Sequence, residues 1–456
     1  MSAFTLELTP AHHELVRRAH AFAEDVIRPA APKYDAAEEC PWEIVDKAAQ
    51  EGFYSPLFYA DLIADPTGLS LPLFLEEIFW GCAGIGLTVV LPALALSALN
   101  QAGTPEQLAR WAPEMFGEPG DIKLAALAVS EPQGGSDVAN LQTRARKDGD
   151  SWVLDGEKIW IGNGGIADVT IVNAVVDPEL GTKGQAMFVV PKDTPGMEHV
   201  RRLRKLGHRA SHTAELKFEN CRIPADQLLG GEDKLEHKLE KARRGEGKPA
   251  ALGTFEQTRP MVAAMALGVA RAAFEYACAY ARDREAFGGP IIANQGVSFP
   301  LADLAADIDA ARLLTWRASW MAANGVPFQV GEGSMSKLKA SEVAVRAAEQ
   351  AVQTCGGWGY VDDLPVEKWY RDAKLYTIFE GTSEIQRMVI GRTLSDLDST
   401  AEPVHHRLPG DKRGLSRKFG HGSLVRARAG EVFMKLATKA PEPVLRLGGK
   451  LASPGA

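Results

Sequence analysis

Apolar positions recur at helical spacing through residues 8 to about 118, as in Leu15, Ala19, Phe22 and Val26, and the helix-compatible stretch EIVDKAAQ runs out at Gly52. From Leu124 to about Pro224 the rhythm changes. Short runs rich in Val, Ile and Trp (SWVLDGEKIWI, DVTIVNAVV, QAMFVVPK, AELKFENCRI) alternate with Gly, Asp and Pro turns, which is the pattern of antiparallel strands. Beyond Pro260, Ala-rich helical patterns return over 261–284, 301–324, 335–354 and 384 to about 394. Pro260 suits a first helical turn, and Gly325 and Gly356 suit helix stops. The pattern predicts a multi-domain α+β chain: an N-terminal helical domain (1–120), a middle β domain (121–230), a charged connector (231–249), a C-terminal helical domain (250–396) and a tail (397–456). No repeat of 20–50 residues appears, which argues against a solenoid.

Three stretches test this reading. Residues 78–99 form a 22-residue run without a charge, long enough to span a bilayer. Gly81, Gly84, Gly86 and Pro92 interrupt it and Glu76 and Glu77 abut it, so it reads as a pair of buried core helices broken near Pro92. The segment 231–249 carries 6 Lys+Arg against 5 Asp+Glu and reads as a solvated connector, although Leu235 and Leu239 stand at i, i+4. Gly162-Asn-Gly164-Gly-Ile-Ala167 matches a G-x-G-x-x-A dinucleotide fingerprint, but another strand pattern follows where a helix is required. Asn163-Gly164 is therefore read as a hairpin turn.

Composition narrows the partners. At 456 residues the chain can bury a full core without staples, and a net charge of −8 argues against nucleic acid as the main partner. That charge is a sum of −15 on residues 1–400 and +7 on the remainder. Val425, Val432, Phe433 and Leu436 suit one face of a short basic helix in the tail; docking on the acidic body, or disorder, is favoured over a membrane surface. Five widely spaced cysteines with no C-x-x-C, and an N-terminus without a signal pattern, lead to the expectation of a cytoplasmic protein.

Candidate chemistry lies in four segments. In YTIFEGTSEIQR, Ser383 and Gln386 read as a capping box, so a helix starts just after Glu380 and leaves backbone N–H groups beside its carboxylate. Ile378 and Phe379 make the near side apolar, so burial raises the Glu380 pKa toward that of a neutral-pH base. A Glu that only caps the helix fits the same segment. The loop Val129–Asp137, VSEPQGGSD, leaves a strand with exposed amides and hydroxyls suited to an anionic or carbonyl-rich ligand, or is an ordinary turn. Trp160 offers an aromatic face or belongs to the core. Arg284-Glu-Ala-Phe287-Gly288 ends a helix in a cation and an aromatic.

Taken together, in order from about Leu8 to Leu394, these segments resemble the acyl-CoA dehydrogenase family, nearest its medium- and short-chain members. The resemblance implies that family's fold: an N-terminal helical domain, a middle antiparallel β-barrel-like domain and a C-terminal four-helix bundle. It implies FAD and α,β-dehydrogenation of an acyl-CoA to the trans-2-enoyl-CoA, as in fatty acid β-oxidation. Glu380 stands at the catalytic base, removing the pro-R α-proton while the β-hydride passes to flavin N5. The Glu380 backbone N–H and a flavin hydroxyl would hold the thioester carbonyl. The resemblance places Leu127, Val129, Ser130, Gly135, Ser136, Trp160 and Gly162 at the flavin, with Ser136 also touching substrate. It assigns Arg284, Phe287, Gln295, Gln353, Gly356 and Gly357 to the FAD diphosphate and adenine of the neighbouring subunit, and Thr382 and Glu384 to the adenine side. Glu256, Arg259 and Gly381 fall at substrate positions, the first two near CoA. The implied assembly is a homotetramer, a dimer of dimers, passing electrons to electron-transfer flavoprotein.

The chain departs from the pattern at Gly162, where the family usually has a Thr or Ser that bonds flavin N5. An acyl-CoA oxidase using oxygen therefore stays open beside the dehydrogenase. A non-catalytic partner subunit is the third reading, and the retained Glu380 speaks against it. Some branches carry the base at the position of Thr258 instead; here Thr258 and Glu380 together agree with the usual placement. Residues 86–99 are expected to line the acyl pocket, with a mild preference for short to medium straight chains.

Overall fold

The computed structural model describes residues 6–246 and 250–395, without the side chains of 250–257 and 395; the basic tail and the Glu256 side chain lie outside the described residues. Seven helices come first: α1 Pro10–Phe22, α2 Arg28–Ala37, α3 Trp42–Gln50, α4 Pro56–Ala64, α5 Ser70–Gly81, α6 Ala83–Ala102 and α7 Pro105–Trp111. Local chemistry explains the starts. Thr9 and Thr104 each form a capping box, with His12 and Gln107 respectively, and a proline follows each at the first helical position. α5 is buried along most of its length, and its two buried carboxylates, Glu76 and Glu77, are met by Arg271, Arg312 and His20.

The break between α5 and α6 falls at Cys82, in extended conformation, and not near Pro92 as expected. α6 runs straight through Pro92. Pro92 removes the donor for the Thr88 carbonyl one turn earlier, and next to it the buried Tyr59 hydroxyl donates to Val89 O at 3.2 Å. α6 and residues Thr258–Asp283 are both long and apolar enough to cross a membrane, but most of each is buried within the protein.

The middle segment is one curled seven-stranded sheet: β1 Ala125–Ala128, β2 Arg144–Asp148, β3 Ser151–Gly162, β4 Val169–Val175, β5 Gln185–Pro191, β6 Met197–Arg202 and β7 Thr213–Pro224. Its order is β1-β4-β2-β3-β7-β6, with β5 on the free side of β4. Most pairs are antiparallel, but β1 runs parallel to β4, with Ala125 opposite Val169. Two consequences position the site. The β1 end delivers the Val129–Asp137 loop to the sheet edge, and a register shift between Lys158 and Ile161 in the β3–β7 ladder turns Trp160 out of the pleat at φ 60°. Because β3 and β4 are not neighbours, Asn163-Gly164 is a turn but not a hairpin; Asn163 anchors it through Nδ2 to Ala125 O at 3.2 Å.

The connector also differs from expectation. Glu232–Arg243 is a helix, α8, that buries Leu235 and Ala242 and lies against the turn Pro178–Gly184. Its apolar stripe is short but has a surface to cover, so packing prevails over the polar average. The C-terminal unit contains α9 Ala250–Asp283, α10 Gln295–Ala323, α11 Glu332–Cys355, α12 Val366–Ala373 and α13 Ser383–Ser395. α9, α10 and α11 pack on one another, and α12 and α13 lie on α11. α9 and α10 begin well before the predicted starts and contain Pro260 and Pro300 within them. The β and helical units meet at Gly207, where an added Cβ would stand 2.5 Å from the Arg371 backbone. There the His208 N–H donates to Asp372 Oδ1 at 2.5 Å, and the Arg371 guanidinium donates to Leu206 O at 3.2 Å.

Candidate active site

Glu380 sits between the turn Lys374–Thr377 and α13, half-buried and with φ 53°, a left-handed conformation uncommon for a residue with a side chain. Its carboxylate Oε2 accepts a hydrogen bond from Thr258 Oγ1 at 3.1 Å. Burial pushes its pKa up; the Thr258 hydroxyl, then the Lys337 and Arg259 charges, oppose that rise. The Glu380 N–H has no acceptor among the described residues.

The loop around it is held from below. Lys337, fully buried on α11, donates through Nζ to Tyr376 O at 2.6 Å and Gly381 O at 2.7 Å. Gln386 Nε2 donates to Glu380 O at 3.2 Å and Gly381 O at 2.9 Å. The expected Ser383–Gln386 capping box is therefore not formed. Thr382 caps α13 instead, its Oγ1 accepting from Ile385 N at 3.3 Å, while Ser383 Oγ is buried without a partner among the described residues. The Gln386 amide reaches past the cap because the left-handed turn at Glu380 presents two carbonyls to it. Phe379 packs against Tyr376 at 5.5 Å between ring centroids, but Ile378 points to solvent, so only one of the two expected apolar neighbours flanks Glu380.

Arg259 is buried, with Nη1 donating to Ser334 Oγ at 3.0 Å. Its charge is one of those that oppose the rise in the Glu380 pKa. Both polar holds on the Gly381 carbonyl come from within the protein, which leaves its N–H as the group able to face a ligand.

The second cluster surrounds the Val129–Asp137 loop. Glu131 and Gly134 exchange backbone hydrogen bonds at 3.1 and 3.0 Å, closing a tight turn. Beneath it Lys158 Nζ donates to Val129 O and Glu131 Oε1, both at 2.8 Å, and the Glu131 carboxylate also accepts from Gln142 N at 2.5 Å and Thr143 N at 3.0 Å. This buried ion pair was not singled out from the sequence. Its available signal was a lysine on an otherwise inward-facing position of β3. Burial lowers the Lys158 pKa to about 8, with Glu131 opposing the shift. Leu127 and Ser130 are half-buried, Val129 is buried, and Gly135 and Ser136 are exposed. The Ile159 N–H donates to Ser130 O at 3.0 Å, tying the loop to the bulge that presents Trp160. Trp160 is 57% exposed, so it is not a core residue, and its ring edge lies 3.6 Å from where a Gly135 Cβ would stand. Gly162 follows on β3; a Cβ there would stand 2.7 Å from Leu91 Cδ1 of α6.

The third cluster is a surface cleft of about 590 Å³ lined by Arg284, Gly356 and Gly357 together with Tyr280, Thr354 and Trp358. Phe287 is wholly exposed with φ 54°, and Gln295 and Gln353 are exposed nearby in sequence without lining the cleft. Thr382 and Glu384 flank the start of α13, where the Glu384 carboxyl is held below its usual range by its own N–H and the Thr382 hydroxyl. An outward tryptophan face beside the Ser130 and Ser136 loop, and an exposed arginine beside two glycines, are surfaces that fit the ring and the diphosphate of FAD.

Helices, a curled sheet and a helical bundle, with a half-buried carboxylate on the loop before the last helix, define an oxidoreductase architecture. Models of the acyl-CoA dehydrogenase N-terminal, middle and C-terminal domains match residues 9–119, 126–221 and 245–395, and the chain belongs to this family of oxidoreductases. The mitochondrial short-chain specific acyl-CoA dehydrogenase of Rattus norvegicus is 40% identical over 392 residues, covering 85% of this chain and 90% of that protein. The structure of butyryl-CoA dehydrogenase from Megasphaera elsdenii superposes with a TM-score of 0.77 at 33% identity, covering 86% of this chain and all of the other. A glutaryl-CoA dehydrogenase from Mycobacterium smegmatis in complex with FADH2 superposes with a TM-score of 0.73 at 26% identity, covering 86% and 97%.

Proposed function

We propose that this chain dehydrogenates a short straight-chain acyl-CoA at Cα–Cβ, with Glu380 as the base. The observation that carries the reading is the Glu380 loop itself: a carboxylate raised in pKa by burial, steadied by Thr258, next to an N–H that has no acceptor among the described residues. Such a carboxylate is matched to removing a weakly acidic α-proton near neutral pH. The neighbouring N–H supplies a donor where negative charge develops on the thioester oxygen. Trp160, Ser130 and Ser136 would hold the isoalloxazine side of FAD, and Arg284, Gly356 and Gly357 its diphosphate, from the adjoining subunit of a homotetramer. FAD, when bound, supplies the acceptor for the β-hydride. Electron-transfer flavoprotein then takes the electrons onward. The short-chain preference rests on the relatives and on the apolar α6 face behind Gly162.

The test is anaerobic addition of butyryl-CoA to the purified yellow protein. Wild type is expected to bleach and Glu380→Gln to stay yellow; bleaching at an equal rate in the variant removes the base assignment. A second reading, oxygen as electron acceptor, is favoured by Gly162, which offers no hydroxyl on the flavin side of β3. Stoichiometric peroxide during aerobic turnover supports it, and its absence leaves the dehydrogenase.

A further inference from the structure

We propose that Lys337 is the positioning residue of the reaction: its ammonium fastens the two ends of the loop that carries Glu380 and fixes where the carboxylate stands. The inference rests on Glu380 being the base and adds to that reading a group on a different helix that acts through the loop backbone.

The geometry is specific. Tyr376 O and Gly381 O lie on the two sides of Glu380, and one buried Nζ donates to both, at 2.6 and 2.7 Å. An ammonium has three N–H donors, so a single group can close the loop from the α11 side while Gln386 closes it from the α13 side. Between these fixed points Glu380 is held at positive φ, a conformation uncommon for a residue with a side chain. A fully buried lysine is costly unless its hydrogen bonds are met, and two backbone carbonyls meet most of that demand here. The charge has a second effect. It opposes the burial that raises the Glu380 pKa, so the lysine sets the orientation of the base and also lowers the pH at which it becomes ionised. The charges around Lys337 are Glu380 and Glu384, which favour its protonated form, and Arg259, which disfavours it.

The experiment compares Lys337→Met, Lys337→Gln and Lys337→Arg in the FAD-loaded enzyme, with melting temperature and flavin spectrum recorded first. Lys337→Met is expected to lower kcat by about 100-fold, the scale of a misplaced catalytic group, with a much smaller change in KM. The acidic limb of its kcat–pH profile is expected to move to higher pH. Lys337→Arg, which keeps charge and donors, is expected to return the limb toward its wild-type position. If Lys337→Met does not fold, Lys337→Gln takes its place, since its amide NH2 keeps two donors and loses the charge. Folded, yellow variants with wild-type kcat and an unshifted limb overturn the proposal. So does an equal kcat loss in Met and Arg variants with no movement of the limb, which assigns Lys337 to packing alone. Glu380→Gln is run alongside: activity retained there removes the base reading itself, whereas an inactive Glu380→Gln with an unimpaired Lys337→Met removes only the present inference.

Discussion

At Gly162 a missing side chain is matched by a present one. Leu91 reaches from α6 into the space that a Cβ on β3 would occupy, so the two positions share one volume. Gly162→Thr alone is expected to destabilise by about 1–3 kcal/mol through overpacking, read as a lowered denaturation midpoint. The double variant Gly162→Thr, Leu91→Ala is expected to recover most of that loss; additive losses would show that the two side chains do not compete. In the recovered double variant a hydroxyl stands on the flavin side of β3, and the flavin reduction potential is the quantity to compare with wild type. Much of this scale was legible in the sequence. Glu380, Trp160 and the Ser130–Ser136 loop stand in local patterns that mark them as candidates, although each pattern by itself also fits a helix cap, a core aromatic or an ordinary turn. Lys158, Glu131 and Lys337 were not legible, because each works through a backbone carbonyl or a partner contributed by another part of the chain, and no spacing within one segment reveals that.

At the scale of elements, the start of α5 depends on one carboxylate outside it. Asp65 accepts from the N–H groups of Thr67, Leu69 and Ser70 at 2.8, 3.2 and 2.9 Å, from the Thr67 and Ser70 hydroxyls, and from His12 Nε2 of α1 at 3.1 Å. These bonds, His12 foremost, overcome the effect of burial and hold Asp65 far below the usual carboxylate range. A depressed carboxylate contributes stability that is fully present above its unfolded pKa near 3.8 and is lost as pH falls through the folded value. Asp65→Ala is expected to cost about 1–3 kcal/mol at pH 7, measured by denaturant titration, with the gap to wild type closing in acid. A gap that persists unchanged below pH 2 would assign the loss to packing. Element type along the chain followed from periodicity, whereas boundaries did not. α6 continues through Pro92 while buried on both sides of it, and α8 forms because the turn Pro178–Gly184 covers its short stripe. Both are decided by contacts remote in sequence.

For the whole molecule, the proposed division of labour places the base in one subunit and the diphosphate cleft in its neighbour. Glu380→Gln and Arg284→Glu chains, each inactive alone, are then expected to regain about a quarter of wild-type activity when co-refolded in equal amounts, since half of the pairs are mixed and each holds one intact site. No recovery would place Arg284 in the same site as its own Glu380. The contact at Gly207 carries a different consequence. Asp372, a buried carboxylate on α12 paired with Lys368, accepts the His208 N–H, and the His208 ring meets the Asp372 carbonyl at 3.1 Å. His208 is kept neutral there, its pKa pushed down to about 4 by burial. A loop between two strands of the sheet thus completes the hydrogen bonding of a charge that belongs to the helices, at a point where Gly207 leaves no room for a side chain. Cutting the chain between the two would strand that carboxylate in one piece and an orphaned amide in the other. The three segments that family models match separately are therefore not interchangeable modules: a sheet grafted from a relative must bring its own Gly207 and its own answer to Asp372.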